Sequence, residues 1–585
     1  MSYKFNRNQR IKCVELSPSE SILAGPWQTK HRKMIDKVEQ LPVLMSQNPL
    51  SWLIIGIAAV SCITFVIAAL RNRPQTLFFA LTLSITSLIV VSNGQDTTIH
   101  AWRSLYLFES LKANHLDLLL TLDNISLPIF YFYSPLTYEL TWPFLWMGFT
   151  ALQSIRIIAS LGFILMAYSA RTMICRAIDP LAQDYKIASL LGVVFLSVNY
   201  VYHNYLTRGA LPEALSYALV PIIIVSLLDN KYLLSMLLIA LQIMVHPVLF
   251  VQSFSAEAVI LLMLDKQFFS KTWKIASVYG SAMVLSSPLW FFGLANKTSI
   301  DGINGLPIKF EDTFVSLTSI VSLEDYIGVG FFIVSILLIV VINTHRTLTW
   351  QTILGIIAFT ATLLIQLESF KPWISSLPII NMSLFIWRWS FVSAIIGVTV
   401  IAVLWKNCTS HLIVHTLIIL SATPVYNALE IRLTAANFFK PDPDPPINFK
   451  ELFAKIDGYH TWGFGEFMPN YTTMPDGCKT VDKDHSQLVD YAQLREKPMA
   501  VKGTVAIPNA PIGIVKYLRD GEQAQNLSVC DGQLLIPVTH PQTTITAQED
   551  FMMQHPLIRF ALPVLVLLAI VAVLLTQHKH RYRAI

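Results

Sequence analysis

Three stretches of this sequence place acids, imidazoles and guanidiniums at spacings that could do chemistry. The first is Asp96-Thr-Thr-Ile-His100-Ala-Trp-Arg103. It predicts a helix running on through Glu109, with Asp96 as N-cap, because a carboxylate there can accept from the orphan N–H groups of the first turn. Ile99, Trp102, Leu105 and Tyr106 fit one apolar face. Asp96, His100 and Arg103 then share a stripe at i, i+4 and i+7. Such a stripe could bind a metal, act as a base, or grip phosphate. It is also what a capped interfacial helix with solvated polar residues looks like.

The second stretch is Tyr205-Leu-Thr-Arg208-Gly209-Ala-Leu-Pro212-Glu213. Arg208 and Glu213 could pair or snorkel, as isolated loop charges usually do. Gly209 and Pro212 favour a shaped turn. The third is Trp387-Arg388-Trp389. An arginine within a membrane helix costs roughly 2.5–3.5 kcal/mol on insertion scales, so it needs a partner or a wet cavity. At a helix end it can instead snorkel between aromatic anchors. His246, before Pro247, reads as a lone histidine at a helix turn. The aromatic run Leu127-Pro-Ile-Phe-Tyr131-Phe-Tyr133-Ser-Pro135 fits an interfacial belt, and Tyr131 and Tyr133 could line a groove for sugar or lipid.

These groups need elements to position them, and the composition says which. Of 585 residues, 54% are hydrophobic and only 14% charged, well short of the quarter or so usual in soluble domains. The net charge of +5 gives no reason to expect nucleic acid. Apolar runs stand near 52–70, 76–92, 154–174, 187–204, 214–229, 232–246, 248–264, 273–293, 327–343, 350–367, 384–405, 411–427 and 557–576. They are too long and too continuous for barrel strands, which alternate. The expectation is a polytopic α-helical membrane protein with about 13 transmembrane helices. The stretch 128–150 is ambiguous, since its prolines allow either a span or a broken interfacial helix.

Basic residues favour cytoplasmic loops. Lys579, Arg581 and Arg583 put the C-terminus inside. The segment 429–555 and the loop 93–153 then fall outside, and Arg208, Glu213, His246 and Arg388 lie near that outer face. Thirteen spans would leave the basic tail 1–50 outside, against the same rule. That tail carries no early apolar stretch, so no signal peptide is read. The transmembrane domain is expected over 51–428, and a final helix with a basic cytoplasmic tail over 556–585.

The segment 429–555 changes character. It includes the proline-rich Lys440-Pro-Asp-Pro-Asp-Pro-Pro446, then turn signals between short β-prone runs such as 499–507 and 533–538. A small extracytoplasmic domain, β or mixed, is expected. No CxxC spacing occurs among the six cysteines, so no zinc or redox motif is read. Cys478 and Cys530 share this domain, and an oxidising compartment would let them pair.

Taken together, QDTTIHAWRSLYLFESL at 95–111, LPIFYFYSPLTYEL at 127–140, NYLTRGALPEALSYALVP at 204–221 and IWRWSF at 386–391 resemble the bacterial membrane proteins of the 6-pyruvoyl-tetrahydropterin synthase-related group, within the GT-C glycosyltransferase superfamily. The resemblance covers roughly 75–405. No pterin site is read in these motifs. It implies a GT-C-like fold in a bacterial inner or plasma membrane, with chemistry on the outer face. It also implies a polyprenyl-phosphate-linked sugar donor and a glycan, lipid or protein acceptor. By position, Asp96 takes the family's acidic role in the first outer loop, Glu213 is a second acid, and Arg208 and Arg388 are candidates for carrier-phosphate contacts. No Asp-x-Asp pair stands in that loop, so a divalent metal at Asp96 stays an open question. The rival readings are a transporter or flippase for a lipid-linked glycan, and a non-catalytic subunit of an envelope polysaccharide assembly system.

Overall fold

The computed structural model describes residues 49–405, with breaks of which the longest is 296–309, and much of 487–583; 1–48 and 406–486 lie outside the described residues. Helices α1 (Pro49–Leu70) and α2 (Pro74–Val91) form a hairpin. Asn72 makes its turn with a φ of 49°, which asparagine tolerates better than most residues. Pro74 opens α2, where a missing N–H leaves no bond unmade. Helix α3 (Thr97–Lys112) leads to the two-stranded β1 (Leu120–Leu122) and β2 (Ile125–Leu127). Two short helices follow, α4 (Leu136–Glu139) and α5 (Trp142–Trp146). At four and five residues they are far below the ~17 that a crossing needs. The ambiguous stretch 128–150 therefore does not span as one helix.

Next come α6 (Ala151–Ile178), α7 (Tyr185–Leu196) and α8 (Asn199–His203), and α8 runs into a π-helical turn, Asn204–Arg208. The chain continues through α9 (Leu211–Leu228), α10 (Tyr232–Val245), α11 (Pro247–Leu264) and α12 (Phe268–Ala295). Helices α13 (Gly328–Thr344) and α14 (Trp350–Leu364) precede a 3₁₀ turn, Ile386–Arg388, that opens α15 (Trp389–Leu404). The last helix is α16 (Pro556–Arg583).

Among the described residues, five helical segments are long and apolar enough to cross a membrane: α6, α9, α11, 386–404 and the first part of α16. Helices α7 and α8 would add a sixth, bent by 68°. Shorter apolar helices lie within α1, α2, α10, α13 and α14. The protein is an integral membrane protein. The expected runs from 52–70 to 384–405, and 557–576, each lie largely on helices, the run 187–204 on two. The run 411–427 lies outside the described residues, and the number of about 13 spans is not confirmed.

The helices share one buried apolar core, in which Phe163, Leu191, Ile223 and Val400 are fully enclosed. Near the C-terminus two four-stranded sheets appear, in the region expected to be β or mixed. One is ordered β4-β10-β6-β7 and the other β3-β5-β9-β8. Their strands are β3 (Gln487–Leu488), β4 (Met499–Val501), β5 (Val505–Ile507), β6 (Lys516–Arg519), β7 (Glu522–Gln523), β8 (Ser528–Cys530), β9 (Gln533–Ile536) and β10 (Thr543–Gln548). All the pairings are antiparallel except β3 with β5. The β6–β7 hairpin turns on Asp520-Gly521, both at positive φ, as a two-residue Asp-Gly turn requires. The Asp520 carboxylate accepts from the Thr544 backbone at 2.7 Å and its hydroxyl at 3.1 Å. These bonds, that to the Thr544 backbone first, hold its carboxyl below the usual range. Cys478 lies outside the described residues, and so does any side-chain pairing with Cys530.

Candidate active site

The site begins where two backbones touch. Gly209 ends the π-helical turn with φ +65°, a conformation glycine adopts without strain. A Cβ on Gly94 would run into the Gly209 nitrogen, so this approach needs a glycine there too. The Asp96 N–H donates to the Arg208 carbonyl at 2.6 Å. The loop before α3 is thereby fastened to the turn before α9.

Four charged side chains alternate in sign across this junction. Arg208 Nη2 lies 3.6 Å from Asp96 Oδ2, and its Nη1 donates to Glu213 Oε1 at 2.9 Å. Arg388 Nε donates to Glu213 Oε2 at 3.0 Å. The Tyr200 hydroxyl also donates to Glu213 Oε1. Glu213 is 2% exposed at its side chain and Asp96 38%, so the chain of charges has a buried end and an open end. Tyr217, one turn after Glu213, donates to the Arg388 carbonyl at 3.1 Å and stacks on Phe391. The Arg388 guanidinium lies 4.9 Å from the centre of the Phe385 ring, in cation–π range.

His100 and Arg103 meet at one hydroxyl. Tyr138 Oη is 3.0 Å from His100 Nδ1 and accepts from Arg103 Nη1 at 3.3 Å. His100, Arg103 and Tyr138 are all buried. Helix α3 is not among the helices long and apolar enough to cross. Burial, then the charges of Arg103, Arg208 and His246, hold the His100 imidazole well below its ordinary range, so it is neutral at pH 7. His246 caps α11, with Nδ1 accepting from the Leu249 N–H at 3.3 Å. It interacts electrostatically with Arg388, Glu213 and Arg208. Asp96, His100, Arg103, Arg208, Glu213, His246 and Arg388 thus form one neighbourhood from four separate stretches of chain.

Three expectations are corrected. Asp96 does not cap α3 with its side chain; its backbone is αR, and its carboxylate faces Arg208. His100 and Arg103 are not on a solvated face, because both sides of the first turns of α3 are buried. Arg208 and Arg388 do not snorkel; each is buried and paired with Glu213. Tyr131 and Tyr133 lie outside the described residues. No group of three His, Cys, Asp or Glu side chains among the described residues could hold a metal ion.

Tyr200 and Tyr217 carry no expectation from the sequence, and Tyr138 only that of an interfacial aromatic belt. Tyr217 had a signal, since it stands four residues after Glu213 on the same helix. Glu139 was also passed over, inside an aromatic run. It is buried, its carboxylate has no hydrogen-bond partner among the described residues, and burial pushes it well above the usual carboxylate range.

No protein-family model matches the chain, and no curated protein matches it. Among solved structures, it is similar to the arabinofuranosyltransferase AftD from Mycobacteria at 13% identity and a TM-score of 0.39. The match covers 63% of this chain and 27% of that one, so this chain spans little more than a quarter of the other's length.

Proposed function

We propose that the protein is a membrane glycosyltransferase that moves a sugar from a polyprenyl-phosphate-linked donor to an acceptor hydroxyl on the extracytoplasmic face. One observation carries the reading: Asp96 is the open end of an otherwise buried chain of ion pairs. A base must reach its proton, and Asp96 is the carboxylate in that chain with exposure to do so. Glu213 is reassigned from second acid to positioning residue, because two arginines and a tyrosine already occupy its oxygens.

In this reading the acceptor oxygen attacks the anomeric carbon as its proton passes to Asp96. The bond from that carbon to the carrier phosphate oxygen breaks, and the electron pair leaves with the phosphate. Asp96, Arg103, Arg208, Glu213 and Arg388 sum to one positive charge, which suits an anionic leaving group. Neutral His100 can share a hydrogen bond without adding charge. The order of motifs, which resembles that of GT-C enzymes, supports the same assignment. The test is purified protein with a radiolabelled polyprenyl-phosphate sugar and a panel of hydroxyl acceptors. Transfer that Asp96→Asn abolishes supports the enzyme. Absence of both transfer and sugar release in the wild type sinks it.

A second reading, transport of a lipid-linked glycan, has one observation behind it. Helices α7 and α8 pair as one candidate span or re-entrant loop bent by 68°, and broken helices line the binding sites of many transporters. Movement of a labelled glycolipid across vesicles, without sugar transfer, would favour it.

A further inference from the structure

One turn along α9 from Glu213, a second polar cluster begins that the proposed reaction does not use. Ser216 stands on α9, Gln242 on α10, Ser253 and Glu257 on α11, and Tyr279 on α12. Ser216, Gln242, Ser253 and Glu257 are wholly enclosed. Gln242 Nε2 donates to the Ser216 carbonyl at 3.3 Å, and Gln242 is near enough to Glu257 to influence its carboxyl. Ser253 and Glu257 are four residues apart and share a face of α11. Tyr279 donates to Glu257 Oε2 at 2.6 Å.

That leaves Glu257 Oε1, Gln242 Oε1, Ser216 Oγ and Ser253 Oγ, and among the described residues none of these four oxygens has a hydrogen-bond partner. They come from three helices packed side by side. No lysine, arginine or histidine among the described residues forms an ion pair with Glu257. A carboxylate buried within a membrane helix without a counter-charge is a costly arrangement. Several enclosed oxygen acceptors on neighbouring helices, one of them a carboxylate, suit a hard cation, which takes oxygen ligands. A monovalent ion leaves the site neutral, whereas a divalent one would leave an uncompensated positive charge in a low dielectric.

We propose that Glu257, Gln242, Ser216 and Ser253 bind a sodium-type monovalent cation that clamps α9, α10 and α11 together. The clamp acts on the candidate active site through short links. Helix α9 carries Glu213 one turn before Ser216, and His246 joins α10 to α11. Tyr217, next to Ser216, holds the Arg388 carbonyl. This inference does not rest on the transfer reaction.

The experiment is thermal unfolding of the full-length protein in detergent, titrated with NaCl, KCl or choline chloride at fixed ionic strength, together with equilibrium binding of radiolabelled sodium. The expected result is a saturable upward shift of the midpoint with sodium, smaller with potassium and absent with choline. Glu257→Gln should lose both the shift and the bound label. Ser253→Ala, which keeps the carboxylate, should bind sodium more weakly and remain folded, which covers the case where Glu257→Gln does not fold. Equal midpoints in the three salts for the wild type would overturn the proposal and leave water or a proton at Glu257. An unchanged sodium response in Ser253→Ala and in any folded Glu257→Gln protein would overturn it as well.

Discussion

Asp96 and Arg208 are joined twice. The Asp96 N–H donates to the Arg208 carbonyl at 2.6 Å, and the Arg208 guanidinium stands 3.6 Å from the Asp96 carboxylate. The first bond belongs to the backbone and survives any substitution that keeps the loop. The second depends on charge. Asp96→Asn therefore keeps the loop fastened and removes the base. The expected outcome is normal expression and unfolding temperature with transfer reduced about 100-fold or more, the scale of general-base catalysis. Near-normal turnover in that variant removes Asp96 from the reaction.

Glu213 behaves differently because it is enclosed. Glu213→Gln leaves Arg208 and Arg388 buried with their shared negative charge gone. Breaking a buried ion pair on one side costs about 3–5 kcal/mol, so this variant should unfold at a markedly lower temperature than Asp96→Asn. Calorimetry in detergent compares them directly. Equal unfolding temperatures would show that Glu213 holds nothing together.

Arg388 offers a test of phosphate recognition. Its fork can contact two oxygens where a lysine offers a point charge. Arg388→Lys should weaken binding of a polyprenyl phosphate less than Arg388→Ala does, without restoring full activity. Binding of a neutral lipid analogue should barely change in either. Titrations of both lipids against the three proteins check this, and equal losses for charged and neutral lipids would make Arg388 a packing residue.

His100 gives a pH dependence with a definite sign. Its folded-state pKa is depressed, chiefly by burial. As pH falls through the unfolded-state value of about 6.5, the unfolded chain takes up a proton that the folded chain refuses. Stability should fall on acidification from that point down to the folded-state value, and stay flat above it. His100→Gln should flatten this part of the profile, measured as unfolding temperature between pH 5 and pH 8. An identical profile in the variant would assign the acid sensitivity elsewhere.

Much of this was legible in the sequence, and for physical reasons. Long apolar runs have few alternatives to helices, so α6, α9 and α11 follow almost directly from composition. The Asp520-Gly521 turn carries its own dihedral requirement. The charged site residues were also visible, since arginine and glutamate beside apolar spans demand an explanation. Their partnerships were not. Glu213 and Arg388 are 175 residues apart, and no local spacing encodes that contact. Asp96 failed as an N-cap because Arg208, from a distant turn, competes for the same carboxylate. The tyrosines stayed hidden because an aromatic ring fits core, belt and site equally well, and only its hydroxyl partner tells them apart.

Arg559 extends this long-range stitching to the end of the chain. It lies near the start of α16, is buried, and donates to the Phe130 carbonyl and, at 2.8 Å, to the Leu289 carbonyl. The last helix is therefore held by side-chain bonds to parts of the chain made hundreds of residues earlier. Covalent continuity through 406–555 is then not its only tie to the rest of the chain. A gene split within that segment and expressed as two polypeptides should give fragments that assemble in the membrane and co-purify, and Arg559→Ala should separate them.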